Sequence, residues 1–245
     1  MIKTILLGPV FLCLVSLGVL ASDLDSQPYT TRALVTTSNW AVLSSEILAP
    51  IASLPLRPGE HFKKGDILVT FDCATYSAQR DAYAADERQA MAQWQSQKRL
   101  LELGSAGQLD VSMAQASLDR ARATLQLQDV YLQRCQLRAP YDGIVVRWGA
   151  QPYQTVAAGD EVIEIVGAQS LELELIAPSS WLSWLKIGQS LTAIIDETGE
   201  TVEAKVIRLG ARIDPVSQTI NIYAAITKGD SKLLPGMSGK ARVMR

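Results

Sequence analysis

The stretch from Cys73 to Cys135, CATYSAQRDAYAADERQAMAQWQSQKRLLELGSAGQLDVSMAQASLDRARATLQLQDVYLQRC, decides how the rest of the chain is read. Residues 74–103 and 108–134 contain neither Gly nor Pro and are rich in Ala, Gln, Glu, Arg and Leu, the good helix formers. Gly104-Ser105-Ala106-Gly107 breaks the run, so the stretch predicts two long helices joined by a short turn. In the second run Val111, Ala114, Leu118, Ala121, Leu125, Gln128, Leu132 and Cys135 alternate spacings of three and four, a heptad seam with one polar member. In the first, Cys73, Tyr76, Arg80, Tyr83, Glu87, Ala90, Trp94, Gln97 and Leu101 share the spacing, but half are polar. A seam this narrow fits an exposed two-helix coiled coil, a rod about 45 Å long, better than a compact bundle, which needs a wide apolar face.

The rod interrupts a repeat. Gly65-Asp66 in front of it matches Gly159-Asp160 behind it, which aligns Phe62 with Val156, Leu68 with Val162 and Phe71 with Ile165. That offset is 94, whereas Ala49-Pro50 and Ala139-Pro140 align at 90, so about four extra residues are expected near Pro152. Each half supplies only short strands and Gly turns, so the halves must interlock to bury a core. Residues 32–37 and 40–48 read as strands around a Ser38-Asn39 turn. From Gln169 the pattern changes. Leu171, Leu173 and Leu175 alternate with Glu172 and Glu174, a short helix is expected from Pro178-Ser179-Ser180 to Leu185, and strands follow at 190–196, 202–209, 219–227 and 239–244. This describes a small β-barrel. Trp181 and Trp184 read as its packing, with an exposed contact pair as the alternative.

The bulk numbers exclude several classes. Of 245 residues, 48% are hydrophobic and 20% charged, an ordinary globular balance. The formal charge is −2, without basic runs or interleaved aromatics, which argues against nucleic acid. Lys3, the apolar Ile5–Leu20 and the small residues of Val19-Leu20-Ala21 form an export signal, with cleavage expected after Ala21. The same apolar segment is nearly long enough to be kept as a membrane anchor, and both readings export the remainder. Cys13 falls in this segment, leaving Cys73 and Cys135 at the base of the rod. An antiparallel hairpin brings its first and last residues together, so a structural disulfide is expected; free buried thiols or a redox pair are the alternatives.

No catalytic constellation emerges. His61 is the single histidine, in a turn-like stretch beside two lysines, and reads as a solvated residue rather than a ligand. Gly104-Ser105-Ala106-Gly107 joins helices and does not follow a strand, so it is no phosphate loop. The chain is expected to be neither an enzyme nor a holder of metal or cofactor.

The repeat resembles the biotinyl/lipoyl domain, whose halves meet at a lysine-bearing turn; here the rod between Asp72 and Gln136 replaces that turn, so no prosthetic group is implied. The chain from about 40 to 240 resembles the HlyD-like membrane fusion proteins, specifically the periplasmic adaptor subunits of RND-type efflux pumps. The resemblance rests on Pro58-Gly59 with Lys64-Gly65-Asp66-Ile67-Leu68, on Ala139-Pro140-Tyr141-Asp142-Gly143-Ile144-Val145, and on Leu233-Leu234-Pro235-Gly236-Met237. It implies an α+β, mostly β fold: a split lipoyl-like (barrel-sandwich hybrid) domain at 32–73 and 135–168, an inserted coiled-coil hairpin at 74–134, and a β-barrel domain at 169–245, after a signal peptide at 1–21. It implies a periplasmic, inner-membrane-associated adaptor, forming a homo-oligomeric ring that bridges an inner-membrane transporter and a TolC-like outer-membrane channel. The alternative is a periplasmic ligand-binding or sensor module. The family's channel-docking residues fall on Arg99 and Leu103 at the hairpin tip, with Leu109 beside them, and on Asp110 where the family carries serine. Ser217-Gln218-Thr219 stands where the family often has Thr-Arg-Thr, and with the chain ending at Arg245 no full membrane-proximal domain is expected.

Overall fold

The computed structural model describes residues 29–167, 171–229 and 232–244. In chain order the elements are β1 (Tyr29–Thr37), β2 (Trp40–Ser44), β3 (Ala49–Ser53), β4 (His61–Phe62), β5 (Ile67–Phe71), α1 (Ala74–Glu102), α2 (Gln108–Gln133), β6 (Gln136–Arg138), β7 (Gly143–Trp148), β8 (Thr155–Val156), β9 (Glu161–Gly167), β10 (Leu171–Pro178), a 3-10 turn (Ser179–Ser183), β11 (Ser190–Ile195), β12 (Thr201–Asp214), β13 (Thr219–Lys228) and β14 (Ser238–Val243). The described residues are mostly β, with two α-helices among them. Among the described residues no helix is long and apolar enough to cross a membrane.

Eight short strands form two four-stranded sheets, ordered β2-β9-β7-β4 and β6-β5-β3-β8. Exchanging each strand for its repeat mate (β2 with β6, β3 with β7, β4 with β8, β5 with β9) turns one order into the other. The hydrogen bonds obey the same exchange. Ser45 N–H donates to the Asp160 carbonyl and the Ser45 carbonyl accepts from Gly159 N–H; 94 residues on, Ala139 does the same with Asp66 and Gly65. Gly59 and Glu60 bracket Val145 as Tyr153 and Gln154 bracket Ile51. The offset of 94 therefore holds throughout, and the four extra residues expected near Pro152 are not there. Ala139 corresponds to Ser45, and the two Ala-Pro pairs occupy different places. Between the sheets lie Ile51, Leu68, Phe71, Val145, Val156, Ile163 and Ile165, all buried and contributed by both halves. Burying them stabilises by about 1.5–3 kcal/mol per large side chain, which neither half collects alone.

The repeat is broken at one informative place. Gly59 turns with φ +90°, which costs glycine nothing. Its mate is Tyr153, at φ 70° with an 85% exposed side chain. A left-handed tyrosine costs roughly 1–2 kcal/mol, so Tyr153→Gly is expected to raise the denaturation free energy by about 1 kcal/mol despite the floppier unfolded chain. An unchanged or lowered midpoint would show that the ring makes contacts worth that strain.

The second core lies in a closed barrel, ordered β1-β10-β13-β12-β11-β14. Leu173, Leu175, Leu191, Ile195, Val202, Val206, Ile220, Ile222 and Val243 alternate inward. Three expectations are corrected. Residues 32–37 belong to β1, which pairs with β10 and β14 and closes the barrel, not to the split unit. The expected strand at 40–48 breaks at Ser45, whose buried hydroxyl donates to the Ile47 carbonyl 2.6 Å away and turns the chain. The helix expected to reach Leu185 is a single 3-10 turn. It carries Trp181, buried, and leads to half-buried Trp184; both rings meet Tyr29, at centroid distances of 5.5 and 4.6 Å, and plug one barrel end. The packing reading of the tryptophan pair holds. Beyond it, β12 runs past Leu209 to Asp214 through register shifts. Asp214 closes the β12–β13 turn by accepting from Ser217 N–H, the Ser217 hydroxyl and Val216 N–H, which hold its carboxyl below the usual value. The turn's contribution is thus present above the ordinary carboxylate pKa and fades as pH falls through the lowered one.

Candidate functional site

The helical pair projects from the split unit, and the split unit grips its base. β5 leads into α1 and α2 leads into β6, and these two strands are hydrogen-bonded neighbours, with Phe71 N–H donating to the Cys135 carbonyl at 2.9 Å. Cys73 and Cys135 are joined by a disulfide, their Cα atoms 6.1 Å apart. Tyr76, Tyr131 and Leu132 pack onto the core of the split unit. The Tyr76 hydroxyl donates to the Leu48 carbonyl at 3.2 Å, and Arg134 meets Glu46 at 3.0 Å.

Along the pair, every seam residue named from the spacing is buried or half-buried, and Ala84 joins them. The polar members have partners across the pair. Arg80 reaches Asp129 at 3.0 Å, and Glu87 accepts from Arg122 at 3.2 Å. Such exposed ion pairs add little stability, but each has a single correct register, so they fix how the helices slide. Asp129 and Asp81 together raise the Arg80 pKa.

At the far end the sequence builds a tight turn. Gly104, at φ 69°, ends α1: its N–H donates to the Leu101 carbonyl and Ser105 N–H to that of Leu100, the paired bonds of a Schellman stop. Asp110 starts α2, accepting from Gly107 N–H at 2.9 Å while lying in the first turn, where a helix favours negative charge. So the acid that stands in place of serine has a structural task. Asp110→Ala is expected to cost about 1 kcal/mol, readable as fraying of α2's first turn by hydrogen exchange. Around this turn Leu103 and Leu109 are each 70% exposed, with Met113 and Leu100 exposed beside them and Arg99 in the last turn of α1. Met113 and Leu100 escape a motif-based reading; their signal is that they are apolar positions off the seam.

His61 pairs through β4 with Ile144 and is exposed. Among the described residues no group of three His, Cys, Asp or Glu side chains could hold a metal ion.

No family model matches the chain. It is 24% identical to the nodulation protein NolF of Rhizobium meliloti over 212 residues, 80% of this chain and 58% of that one. It is 25% identical to the multidrug resistance protein MdtA of Salmonella typhimurium over 238 residues, 86% of this chain and 56% of that one. The chain thus spans a little over half the length of these relatives. Among solved structures, a MacA–MexA chimera containing the Pseudomonas aeruginosa MexA α-hairpin domain superposes with a TM-score of 0.78 at 20% identity, covering 89% of this chain and 81% of the chimera. The membrane fusion protein Spr0693 of Streptococcus pneumoniae R6 does so at 0.74 and 16% identity, covering 88% and 98%. With its interlocked β repeat, the helical pair set into it and the closing barrel, this chain resembles the HlyD-like membrane fusion proteins and has their fold.

Proposed function

We propose that the chain is a non-enzymatic periplasmic adaptor of a tripartite efflux pump, joining an inner-membrane transporter to a TolC-like outer-membrane channel. One observation carries the reading: a long helical pair whose base is stapled and packed into a β mount while its tip shows Leu103, Leu109 and Met113 to solvent. Such an arm meets a partner end-on. The seam and the cross-helix ion pairs support a two-stranded coiled coil at 74–134, between split lipoyl-like halves and ahead of the barrel domain. Arg99, Leu103, Leu109 and Asp110 are the docking residues. A tip of this size makes a small contact, so several copies in a ring are needed for firm capture. That one relative is named a multidrug resistance protein supports export as the process.

Deletion is expected to abolish efflux of the pump's substrate, and the protein to co-purify with a transporter and a channel from crosslinked membranes. Replacing Leu103 and Leu109 together with Asp is expected to remove channel capture and efflux with no loss of melting temperature, because neither side chain is buried. Full efflux in that variant would show that the tip does not dock.

A further inference from the structure

The repeat supplies its own control for the outer surface of the split unit. With the offset of 94, Val42, Val146 and Val166 on the sheet β2-β9-β7-β4 correspond to Gln136, Ala52 and Asp72 on the sister sheet. The ladders agree, since Val42 pairs with Glu164 as Gln136 pairs with Thr70. Where the sister face carries Gln, Asp and a small Ala, as a face turned to water should, this one carries three valines. Trp40, which pairs with Val166, adds an indole that is 61% exposed.

This apolar face is recessed. Between the split unit and the barrel lies a cleft of about 420 Å³, lined by Trp40, Ile144, Val146 and Val166 from the sheet and by Leu234 and Pro235 from the loop before β14. Its borders are fixed. Gly236 N–H donates to the Val35 carbonyl at 2.8 Å and Val35 N–H to the Met237 carbonyl at 2.7 Å, which ties the loop to β1. Gly167 N–H donates to the Asn39 carbonyl at 2.6 Å, which ties together the two connections between split unit and barrel. The Trp40 indole N–H donates to Glu164 Oε1 at 2.9 Å, so the ring is pinned although most of it faces solvent. A preformed apolar cleft of this size, at a junction and with one placed polar group, has the properties of a small-molecule site. A second copy of the chain is a poorer occupant, because a stable pair buries about 800 Å² on each partner and the apolar surface here is a recess a few side chains wide.

Glu164 sets the charge of what can enter. Among the described residues it is the single ionisable side chain lining the cleft. Arg147 reaches its other oxygen at 2.5 Å, but Arg147 is shared with Glu161 at 3.6 Å, so two carboxylates divide one cation. The excess is negative, and an exposed indole face also attracts positive charge.

We propose that this cleft binds a planar aromatic molecule carrying one positive charge, laid against Trp40 and over Ile144, Val146 and Val166. The site goes beyond the adaptor reading and does not rest on it.

The test titrates the protein, as purified from cells, with rhodamine 6G, a planar cation, and follows fluorescence anisotropy. Saturable binding of one dye per chain is expected. It should weaken about tenfold in Trp40→Ala and in Val146→Lys, the second of which crowds the cleft and adds a cation. Val146 is 42% exposed, so the lysine should leave the melting temperature unchanged. The anion 1-anilinonaphthalene-8-sulfonate is expected to bind the native protein about tenfold more weakly than the cation. Replacing Leu103 and Leu109 with Asp should leave dye binding intact, which separates the cleft from the arm tip and from any role in a pump. Binding that does not saturate, equal affinity in the native protein and both cleft variants, or equal affinity for the two dyes overturns the proposal. So does a dimer, seen by sedimentation without dye, that Val146→Lys dissociates, which gives the face to a second copy.

Discussion

Removing the disulfide, by replacing Cys73 and Cys135 with Ala, is expected to lower the denaturation free energy by about 4 kcal/mol. The two cysteines are 62 positions apart, so the bond closes a long loop and strips much conformational freedom from the unfolded chain. The folded state has little to lose. Phe71 N–H still reaches the Cys135 carbonyl, Tyr76 still reaches Leu48, and the tyrosines still pack on the core. The loss should therefore appear as a lower urea midpoint with a steeper slope, as the unlinked chain expands, while the folded circular dichroism stays unchanged. Reductant should shift the native protein to the same midpoint and leave the double variant unmoved. Identical midpoints for the two proteins in the absence of reductant would show that the bond constrains neither state.

Gly143→Ala is expected to cost about 3 kcal/mol, at the upper end of overpacking, or to prevent folding. A Cβ at Gly143 would strike the Val166 carbonyl oxygen and stand 2.8 Å from Cζ of Phe62. Val166 lies on β9, paired on both sides by β2 and β7, and Phe62 is buried, so neither neighbour can withdraw cheaply. The contrast is Gly159, at φ 98°, where an added Cβ meets nothing within 4 Å. Gly159→Ala bears backbone strain alone, about 1 kcal/mol. Melting both variants separates crowding from conformation: equal losses would mean that the Gly143 contact relaxes away.

These two glycines also mark what a sequence can say. The helices were legible because a three-and-four spacing persists over many turns, and β10 because Leu and Glu alternate along it. Strand pairing was not legible. Nothing near Tyr29–Thr37 tells that its partners are β10 and β14, since registers between distant strands are set by the closed core. The repeat was visible but misaligned at one end, because the paired Ala-Pro residues outweighed hydrogen-bond positions that the sequence does not display. The polar half of the α1 seam became intelligible only with Asp129 and Arg122 opposite Arg80 and Glu87. At the tip, Arg99, Leu103 and Asp110 are located by resemblance, but the capping task of Asp110 depends on the geometry of Gly107.

The exchange symmetry of the two sheets governs the order in which the chain can fold. Trp40 pairs with Val166 and Ala49 with Val156, so each sheet needs strands made before and after the arm. The barrel is stricter still, because Tyr29 pairs with Val243, near opposite ends of the chain. The arm is built from neighbours in sequence, as is the β11–β12–β13 meander of the barrel, but helices form faster than hairpins. It should therefore assemble first and bring Cys73 to Cys135 while both sheets are still open. The arm then serves as the template that presents β5 to β6, shortening the search for every later pairing. Protection of α1 and α2 amides ahead of those in β9 and β14, in pulsed hydrogen exchange during refolding, would record that sequence of events.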